Sequence, residues 1–243
     1  MAALSWRLAT RILVRLAGAL PLCVAMLGAT ARPVAGQVAI LLPGEFVGRR
    51  QWPRTEPAWF GLYITAGGFE LRSTGVLIDT VANACAGTAV RVSVNRTSVP
   101  LLLVRGSTAF RDGPVDSAFS GHRFLYPGES LSLRLGEAWY GLEALGRAFS
   151  RYGETAFGDY SLHLARRAGA QTVSQTIYRI HLLTLDNPPQ LRWAGDLDGD
   201  GRMDLFLELP AGGYSDRFVL FLSSTARAGQ LVSDVADFTR GDC

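Results

Sequence analysis

The amino-acid sequence predicts a mainly β protein, antiparallel and sandwich- or barrel-like. Polar and apolar residues alternate along several segments, so that one face of each predicted strand meets a core and the other meets water, as is typical of antiparallel sheets. Glycine and proline interrupt these segments at short intervals, as they do in sandwiches and barrels. With 243 residues, 48% hydrophobic and 19% charged, the chain is too apolar to be disordered and long enough for one large domain or two small ones.

The predicted strands follow one another from residue 59 onward. Residues 59–65 are aromatic and β-branched, and Gly67-Gly68 then provides a tight turn into the next strand. Residues 101–104 are apolar without interruption, which favours a strand in the interior of a sheet. The remaining predicted strands are 69–72 and, with a period of two, 89–94, 130–135, 161–164 and 176–182.

Helical features are confined to two segments. Residues 138–150 could form a helix, but Gly141 and Gly146 would each cost it about 1 kcal/mol. Near the C-terminus, the apolar residues of 232–238 have helical spacing, which predicts one or two helical turns there. The two segments leave the mainly β prediction unchanged.

The clearest break in the pattern is Asn187-Pro188-Pro189, because consecutive prolines stop a strand and hold the chain extended. We therefore expect an antiparallel β region over 37–186 and a C-terminal module over 187–243. The two parts can also pack as one continuous domain.

The first 36 residues have the features of a secretory signal peptide. They contain four arginines and no acidic residue, an apolar stretch over 16–27, and small residues that allow cleavage after Ala31 or Gly36. The sequence therefore predicts a secreted or periplasmic protein with no stable membrane span after cleavage. The alternative is that an uncleaved N-terminal anchor retains it.

The basic character of the chain belongs to this leader. The whole chain carries a formal charge of +3, and without residues 1–36 the remaining 20 arginines face 21 acidic residues, a net charge of −1. Nucleic-acid binding depends on clustered cations, so the sequence predicts no nucleic-acid partner. An unidentified protein or a glycan remains the expected partner.

Two cysteines remain after the leader, Cys85 and the terminal Cys243. In an oxidising compartment an even pair favours a disulfide, and a cysteine at the last position has little packing role. The alternative is two unpaired thiols.

One motif carries recognisable chemistry. Residues 196–204 read Asp-Leu-Asp-Gly-Asp-Gly-Arg-Met-Asp, with aspartates at every second position of the first part. Calcium takes six to eight oxygen ligands, so a short loop that curls around the ion must supply several of them. Gly201 allows the sharp turn, the backbone carbonyl of Arg202 can be the next ligand, and Asp204 can close the shell. The sequence therefore predicts a Ca²⁺ loop.

The loop is not an EF-hand. An EF-hand needs a bidentate glutamate at its twelfth position, and this position is Leu207, with Glu208 one place later. The residues that follow, 205–209, have a strand pattern rather than that of an exiting helix. We therefore predict a module made of a calcium loop and a strand.

This pattern, with Trp193 just before it, resembles the calcium loops of FG-GAP (integrin-type propeller) repeats over about residues 190–223. The C-terminal part also resembles bacterial secreted proteins of unknown function that carry one such loop. No further copy recurs in the chain, so the resemblance implies a single repeat and not a propeller. It implies one main-chain ligand, the carbonyl of Arg202, and four side-chain ligands: Asp196, Asp198, Asp200 and Asp204.

Three functions are compatible with these features. A binding or adhesion-type module with a structural Ca²⁺ is favoured, because calcium-rigidified loops on β scaffolds often carry recognition surfaces. An extracellular hydrolase acting on glycan or peptide, with a calcium-stabilised fold, is the second, although no catalytic residue stands out. A purely structural envelope protein is the third.

Overall fold

The computed structural model describes residues 37–47, 58–169, 171–211 and 215–240. The predicted leader, 1–36, lies outside these residues. Over the described ranges the chain forms seventeen β-strands and no helix, which confirms the mainly β, antiparallel prediction. None of the described segments is a helix long and apolar enough to cross a membrane.

The strands, in chain order, have these bounds: Ala39–Leu41 (β1), Gly44–Phe46 (β2), Trp59–Thr65 (β3), Gly68–Thr74 (β4), Val76–Asn83 (β5), Gly87–Val94 (β6), Leu102–Arg105 (β7), Gly113–Val115 (β8), Ser117–Phe124 (β9), Ser130–Leu135 (β10), Ala138–Arg151 (β11), Glu154–Ala168 (β12), Gln171–Thr184 (β13), Gln190–Gly195 (β14), Asp204–Pro210 (β15), Asp216–Leu222 (β16) and Ser233–Arg240 (β17).

The strands form four sheets, and all pairings between described strands are antiparallel. The front sheet has the order β1-β7-β3-β4-β8, and the central sheet the order β17-β16-β15-β14-β9. The back sheet has the order β10-β11-β12-β13, and a small sheet the order β2-β6-β5. As predicted for an uninterrupted apolar run, β7 lies inside its sheet, between β1 and β3.

The central sheet is buried on both faces. Along β15, Phe206 packs in a hydrophobic cluster with the front and small sheets, whereas Leu205 and Leu207 pack in a second cluster with the back sheet. On β16, Leu220 belongs to the first cluster and Phe221 to the second. Side chains of a strand alternate between faces, so a strand covered on both sides needs apolar residues at nearly every position. This explains the nearly continuous apolar sequence of β15 and β16.

Both clusters join segments from either side of the Asn187-Pro188-Pro189 break. The first contains residues between 40 and 115 and residues between 193 and 238, and the second contains residues between 125 and 183 and residues between 191 and 232. Strand β9 comes before the break and pairs with β14, which follows it. The prolines therefore end one strand and start the next within a shared core.

The helical turns predicted for 232–238 are wrong, because Ser233–Arg240 forms β17 along the edge of β16. Phe238 is buried in the first cluster, and Val235 packs against it. Pairing with β16 satisfies the backbone of this segment, so the sheet overrides the local spacing. Residues 138–151, whose glycines argue against a helix, form the long strand β11.

The back sheet is built from three long strands. β11, β12 and β13 contain 14, 15 and 14 residues, and β10 pairs with the first part of β11. One bulge separates Leu145 from Arg147 in the β11–β12 pairing, and another separates Leu162 from His163 in the β12–β13 pairing. Tyr140, Leu142 and Leu164 face the core between this sheet and the central sheet.

Candidate metal centre

The acidic loop connects β14 to β15, two neighbouring strands of the central sheet. At its start, the backbone N–H of Asp196 donates to the carbonyl of Asp116, at 2.8 Å. A side chain at Gly195 would place its Cβ 2.2 Å from that same carbonyl oxygen, so the close approach requires glycine. Gly199 and Gly201 have φ angles of 75° and 77°, which let the chain curl.

The structure brings three of the predicted ligands together. Ligand atoms of Asp196, Asp198 and Asp204 lie within 4.8 Å of one another. The set contains only carboxylate oxygens, the hard donors that Ca²⁺ and Mg²⁺ prefer. These three residues could therefore hold a divalent cation, with no nitrogen or sulfur donor in the set.

Asp204 is fully buried at the first position of β15. Its Oδ2 accepts a hydrogen bond from the backbone N–H of Leu197, and its Oδ1 accepts one from the N–H of Ser223, both at 2.8 Å. Burial raises the pKa of the Asp204 carboxyl well above its usual value, and the nearby Asp198 raises it further. The residue thus joins the loop to the end of β16 but buries a carboxylate that the protein's own groups do not neutralise.

Asp198 is only 8% exposed. Its Oδ2 accepts a hydrogen bond from the Ser224 hydroxyl, whereas its Oδ1 is buried and has no hydrogen-bond partner among the described residues. Burial raises the pKa of the Asp198 carboxyl; the Ser224 hydrogen bond and the backbone N–H of Asp200 oppose this, while the Asp200 and Asp196 carboxylates add to it. An anionic oxygen without a partner is costly to bury, so this atom requires a compensating group.

The other two predicted ligands are arranged differently. The Asp200 carboxylate accepts hydrogen bonds from the Arg202 guanidinium, at 2.8 and 3.0 Å, and from the Ser223 hydroxyl, at 2.8 and 2.9 Å. Arg202 also donates to the Ser223 carbonyl, at 3.0 Å. Asp200 therefore lies outside the three-carboxylate cluster, and coordination by its side chain and by the Arg202 carbonyl stays a prediction.

The Asp196 carboxylate shapes the loop. It accepts hydrogen bonds from the backbone N–H groups of Asp200, at 2.9 Å, and Gly201, at 2.8 Å. This arrangement holds the turn closed and leaves the carboxylate beside Asp198 and Asp204. Such side-chain-to-backbone bonds are what short polar side chains provide in tight turns.

Sequence reasoning did not assign Ser223 and Ser224, which follow β16 and contact three of the loop's aspartates. Serine after a strand is common, so no local signal marks these two residues. Their role depends on the pairing of β15 with β16, which places the end of β16 beside the start of β15.

Only one of the two cysteines of the predicted disulfide lies among the described residues. Cys85 lies in the turn between β5 and β6, where its backbone N–H donates to the Asn83 side chain at 3.0 Å. Cys243 lies outside the described residues. The bridge between Cys85 and Cys243 stays a prediction.

The chain matches no known protein family, no curated protein and no solved structure. The resemblance to an FG-GAP calcium loop therefore rests on the pattern of residues 190–223 alone.

Proposed function

We propose that this is an exported protein, secreted or periplasmic, whose 196–204 loop binds a structural Ca²⁺ and whose β scaffold acts as a binding or adhesion-type module. The expected partner is a protein or a glycan.

The single observation that carries the calcium proposal is the buried Oδ1 of Asp198. It has no hydrogen-bond donor among the described residues, and it belongs to a cluster with two further carboxylates, those of Asp196 and Asp204. A cation bound among the three would neutralise them and supply the missing partner.

The chemistry of the donors favours calcium over other cations. Zinc sites in proteins rely on cysteine or histidine, and this cluster has neither. Magnesium demands near-ideal octahedral geometry and usually keeps several waters, whereas calcium accepts more oxygens in a flexible arrangement. The Asp200 side chain and the Arg202 carbonyl remain the predicted further ligands of such a shell, and extracellular calcium modules have Kd values that suit millimolar calcium.

The ion would stabilise the central sheet. Asp204 starts β15 and is bonded to Ser223, which follows β16, so a cation held by Asp204 joins the loop to two adjacent strands. With a Kd of about 10–100 µM and millimolar calcium, linkage contributes about 1.4–2.7 kcal/mol to the free energy of unfolding. For a chain of this length, this corresponds to a rise in Tm of roughly 3–10 °C.

The binding role is supported by the form of the scaffold. The back sheet has long strands, and several large hydrophobic side chains on them are exposed, among them Trp139 and Phe149. Aromatic groups exposed on a hydrogen-bonded sheet are a suitable recognition surface, because less entropy is lost when residues held in a sheet bind than when loop residues do.

The decisive test of the calcium site is Asp198→Asn. The wild-type protein should bind calcium in isothermal titration and melt at a higher temperature with calcium than with chelator. The variant should lose both responses, yet in chelator it should be at least as stable as the wild type, because the amide removes the buried charge and its oxygen still accepts from Ser224.

Asp186→Asn, the same change at an exposed turn between β13 and β14, is the matched control and should keep the calcium response. A wild-type protein that takes up no calcium would overturn the calcium proposal. The binding role is tested separately by a glycan and peptide array, and an array with no ligand would reject it.

A further inference from the structure

The outer face of the back sheet carries an ordered pattern of side chains. The register of β10, β11 and β12 pairs Arg134 with Trp139 and Trp139 with Arg167. Their neighbours Tyr140 and Leu142 are buried in the core, so residues 139, 141 and 143 of β11 lie on the opposite face. The outer face can therefore be described as rows that run across the strands.

The first row places an aromatic ring between two cations. Trp139 is 49% exposed, and the Arg134 guanidinium carbon lies 5.7 Å from the centre of its ring. Arg167 is directly opposite Trp139 on β12 and is exposed. Neither arginine forms a salt bridge with a carboxylate of a described residue. The Nε of Arg134 donates a hydrogen bond to the Gly136 carbonyl, at 3.0 Å. The row thus offers two guanidinium groups to an anion.

The second row is made of small residues, in cross-strand order Ser132, Gly141, Ala165 and Ser174. A Cβ built on Gly141 would meet no atom within 4 Å, so the space beside Trp139 is open. Because these side chains are smaller than those of the first row, the row is a low strip of the outer face beside Trp139, and we call the surface formed by this strip and the rows on either side of it the back-sheet trough.

The third row, with Glu143, His163 and Thr176, lies on the other side of this strip. His163 is held in place by Ser161 at 2.9 Å and by Thr176 at 3.2 Å. Beyond it, a shallow depression of about 380 Å³ continues along the same face toward His181. Successive residues rise by about 3.3 Å, so the first and third rows are roughly 13 Å apart and the acidic Glu143 is well separated from the two arginines.

We propose that the back-sheet trough binds an oligosaccharide with carboxylate or sulfate groups. Trp139 stacks on the apolar face of a sugar ring through the ring face that Arg134 does not cover, and Arg134 and Arg167 bind the anionic group beside it. The hydroxyl groups of Ser132, of Ser174 and of Thr176 in the third row accept hydrogen bonds from sugar hydroxyls and donate hydrogen bonds to them. This inference deepens the proposed binding role by naming the ligand class and the surface.

The composition of the trough favours a glycan over the other ligand classes. A low strip of small residues beside one aromatic side chain suits a ring that carries hydroxyl groups, whereas a protein partner needs an apolar, well-packed centre. Single-stranded nucleic acid is bound by several stacking platforms in a strongly basic groove. Here one ring and two arginines, neither of which has a carboxylate partner among the described residues, lie on a face that also contains Glu143.

Binding is measured by isothermal titration in calcium with four probes of matched length: a hexasaccharide of galacturonate, a heparin hexasaccharide, neutral maltohexaose and a single-stranded DNA hexamer. We expect binding of at least one acidic hexasaccharide, weaker binding at higher salt, and no comparable binding of maltohexaose or DNA. The galacturonate and heparin arms distinguish carboxylate from sulfate. Equal binding of maltohexaose, stronger binding of DNA, or no binding of either acidic probe would overturn the proposal.

The variants locate the site. Trp139→Ala and the double variant Arg134→Gln, Arg167→Gln should each weaken binding by roughly tenfold or more, and the double variant should also lose the salt dependence. Tyr152→Ala is the control, because Tyr152 is 94% exposed at the β11–β12 turn and lies under Arg151, at 5.5 Å, but is far from the trough. An equal loss with Tyr152→Ala, or none with Trp139→Ala, would overturn the assignment to this face.

The two proposals fail separately. The trough contains no loop residue, so a wild-type protein that takes up no calcium would overturn the calcium proposal and would still leave acidic-glycan binding that depends on Trp139 as independent support for the trough. A peptide ligand on the array, with no acidic glycan bound, would support the binding role and reject the trough as a glycan site.

Discussion

The side-chain oxygen of Tyr140 accepts a hydrogen bond from the backbone N–H of Met203, at 3.4 Å. Met203 belongs to the acidic loop, whereas Tyr140 lies on β11 of the back sheet, and both residues are buried. The preceding residue of β11, Trp139, lies on the outer face. The proposed calcium loop and the proposed glycan surface are therefore attached to opposite sides of the same strand.

Tyr140→Phe should destabilise the protein by about 1 kcal/mol, because it leaves the buried N–H of Met203 without a partner. The measurement is urea unfolding, with and without calcium. Tyr152→Phe removes a hydroxyl from an exposed residue and should change the free energy of unfolding very little. Equal values for the two variants would show that the bond to Met203 does not contribute.

Substitutions on both faces of β15 should be equally harmful. Phe206→Ala removes a side chain from the first cluster and Leu207→Ala from the second, so each should cost about 2–5 kcal/mol in urea unfolding. Leu77→Ala, at a position that is 51% exposed, should stay within about 0.5 kcal/mol of the wild type. Tolerance of either β15 variant would contradict a central sheet that is buried on both sides.

Gly195→Ala should weaken calcium binding by roughly tenfold or more and lower the free energy of unfolding by about 1–3 kcal/mol. Its Cβ would lie 2.2 Å from the Asp116 carbonyl oxygen and 2.4 Å from the Trp193 ring, so the start of the loop must move. Isothermal titration and urea unfolding measure the two effects. Gly141→Ala is the control, since its Cβ meets no atom within 4 Å and the change should not lower stability.

Alkaline stability should depend on Tyr178. Burial raises the pKa of its hydroxyl to about 12, although Arg217 lowers it, and the hydroxyl donates to the Pro210 carbonyl at 2.9 Å. In the unfolded chain Tyr178 ionises near pH 10, before it does in the folded protein, so its contribution to the free energy of unfolding is constant below that pH and is lost as pH rises from 10 toward 12.

Tyr178→Phe should make this alkaline decline shallower, measured as the slope of the free energy of unfolding against pH. Part of the decline should remain, because burial also raises the pKa of Tyr160. The slopes are compared rather than the absolute values, since the variant also loses the bond to Pro210. An unchanged slope would contradict the raised pKa of Tyr178.

The sequence predicted well the strands that are buried on one face only. Residues 130–135 and 161–164 alternate because the back sheet covers the core on one side and faces outward on the other. The period of two in the sequence follows from this difference in burial between the two faces of the strand. The same rule does not reveal that β15 and β16 lie in a middle layer, because a continuous apolar strand does not say which two sheets cover it.

The acidic loop was predictable in part. Its glycines and aspartates are fixed by local geometry, and the structure groups Asp196, Asp198 and Asp204 as the spacing suggests. The contacts of Ser223 with Asp200, Arg202 and Asp204 were not predictable, because they depend on the end of β16 reaching the loop. Contacts between distant segments follow from the topology and leave no trace in the local spacing.

The central sheet also determines how the polypeptide can be divided. It takes β9 from one side of the Asn187-Pro188-Pro189 break and four strands from the other, and its two faces close both hydrophobic clusters. A protease cut at these prolines would leave each fragment with part of both hydrophobic clusters. Neither fragment would contain a complete hydrophobic core. We therefore expect the described part of the chain to fold and unfold in a single cooperative transition, and neither fragment to be obtained in soluble form alone.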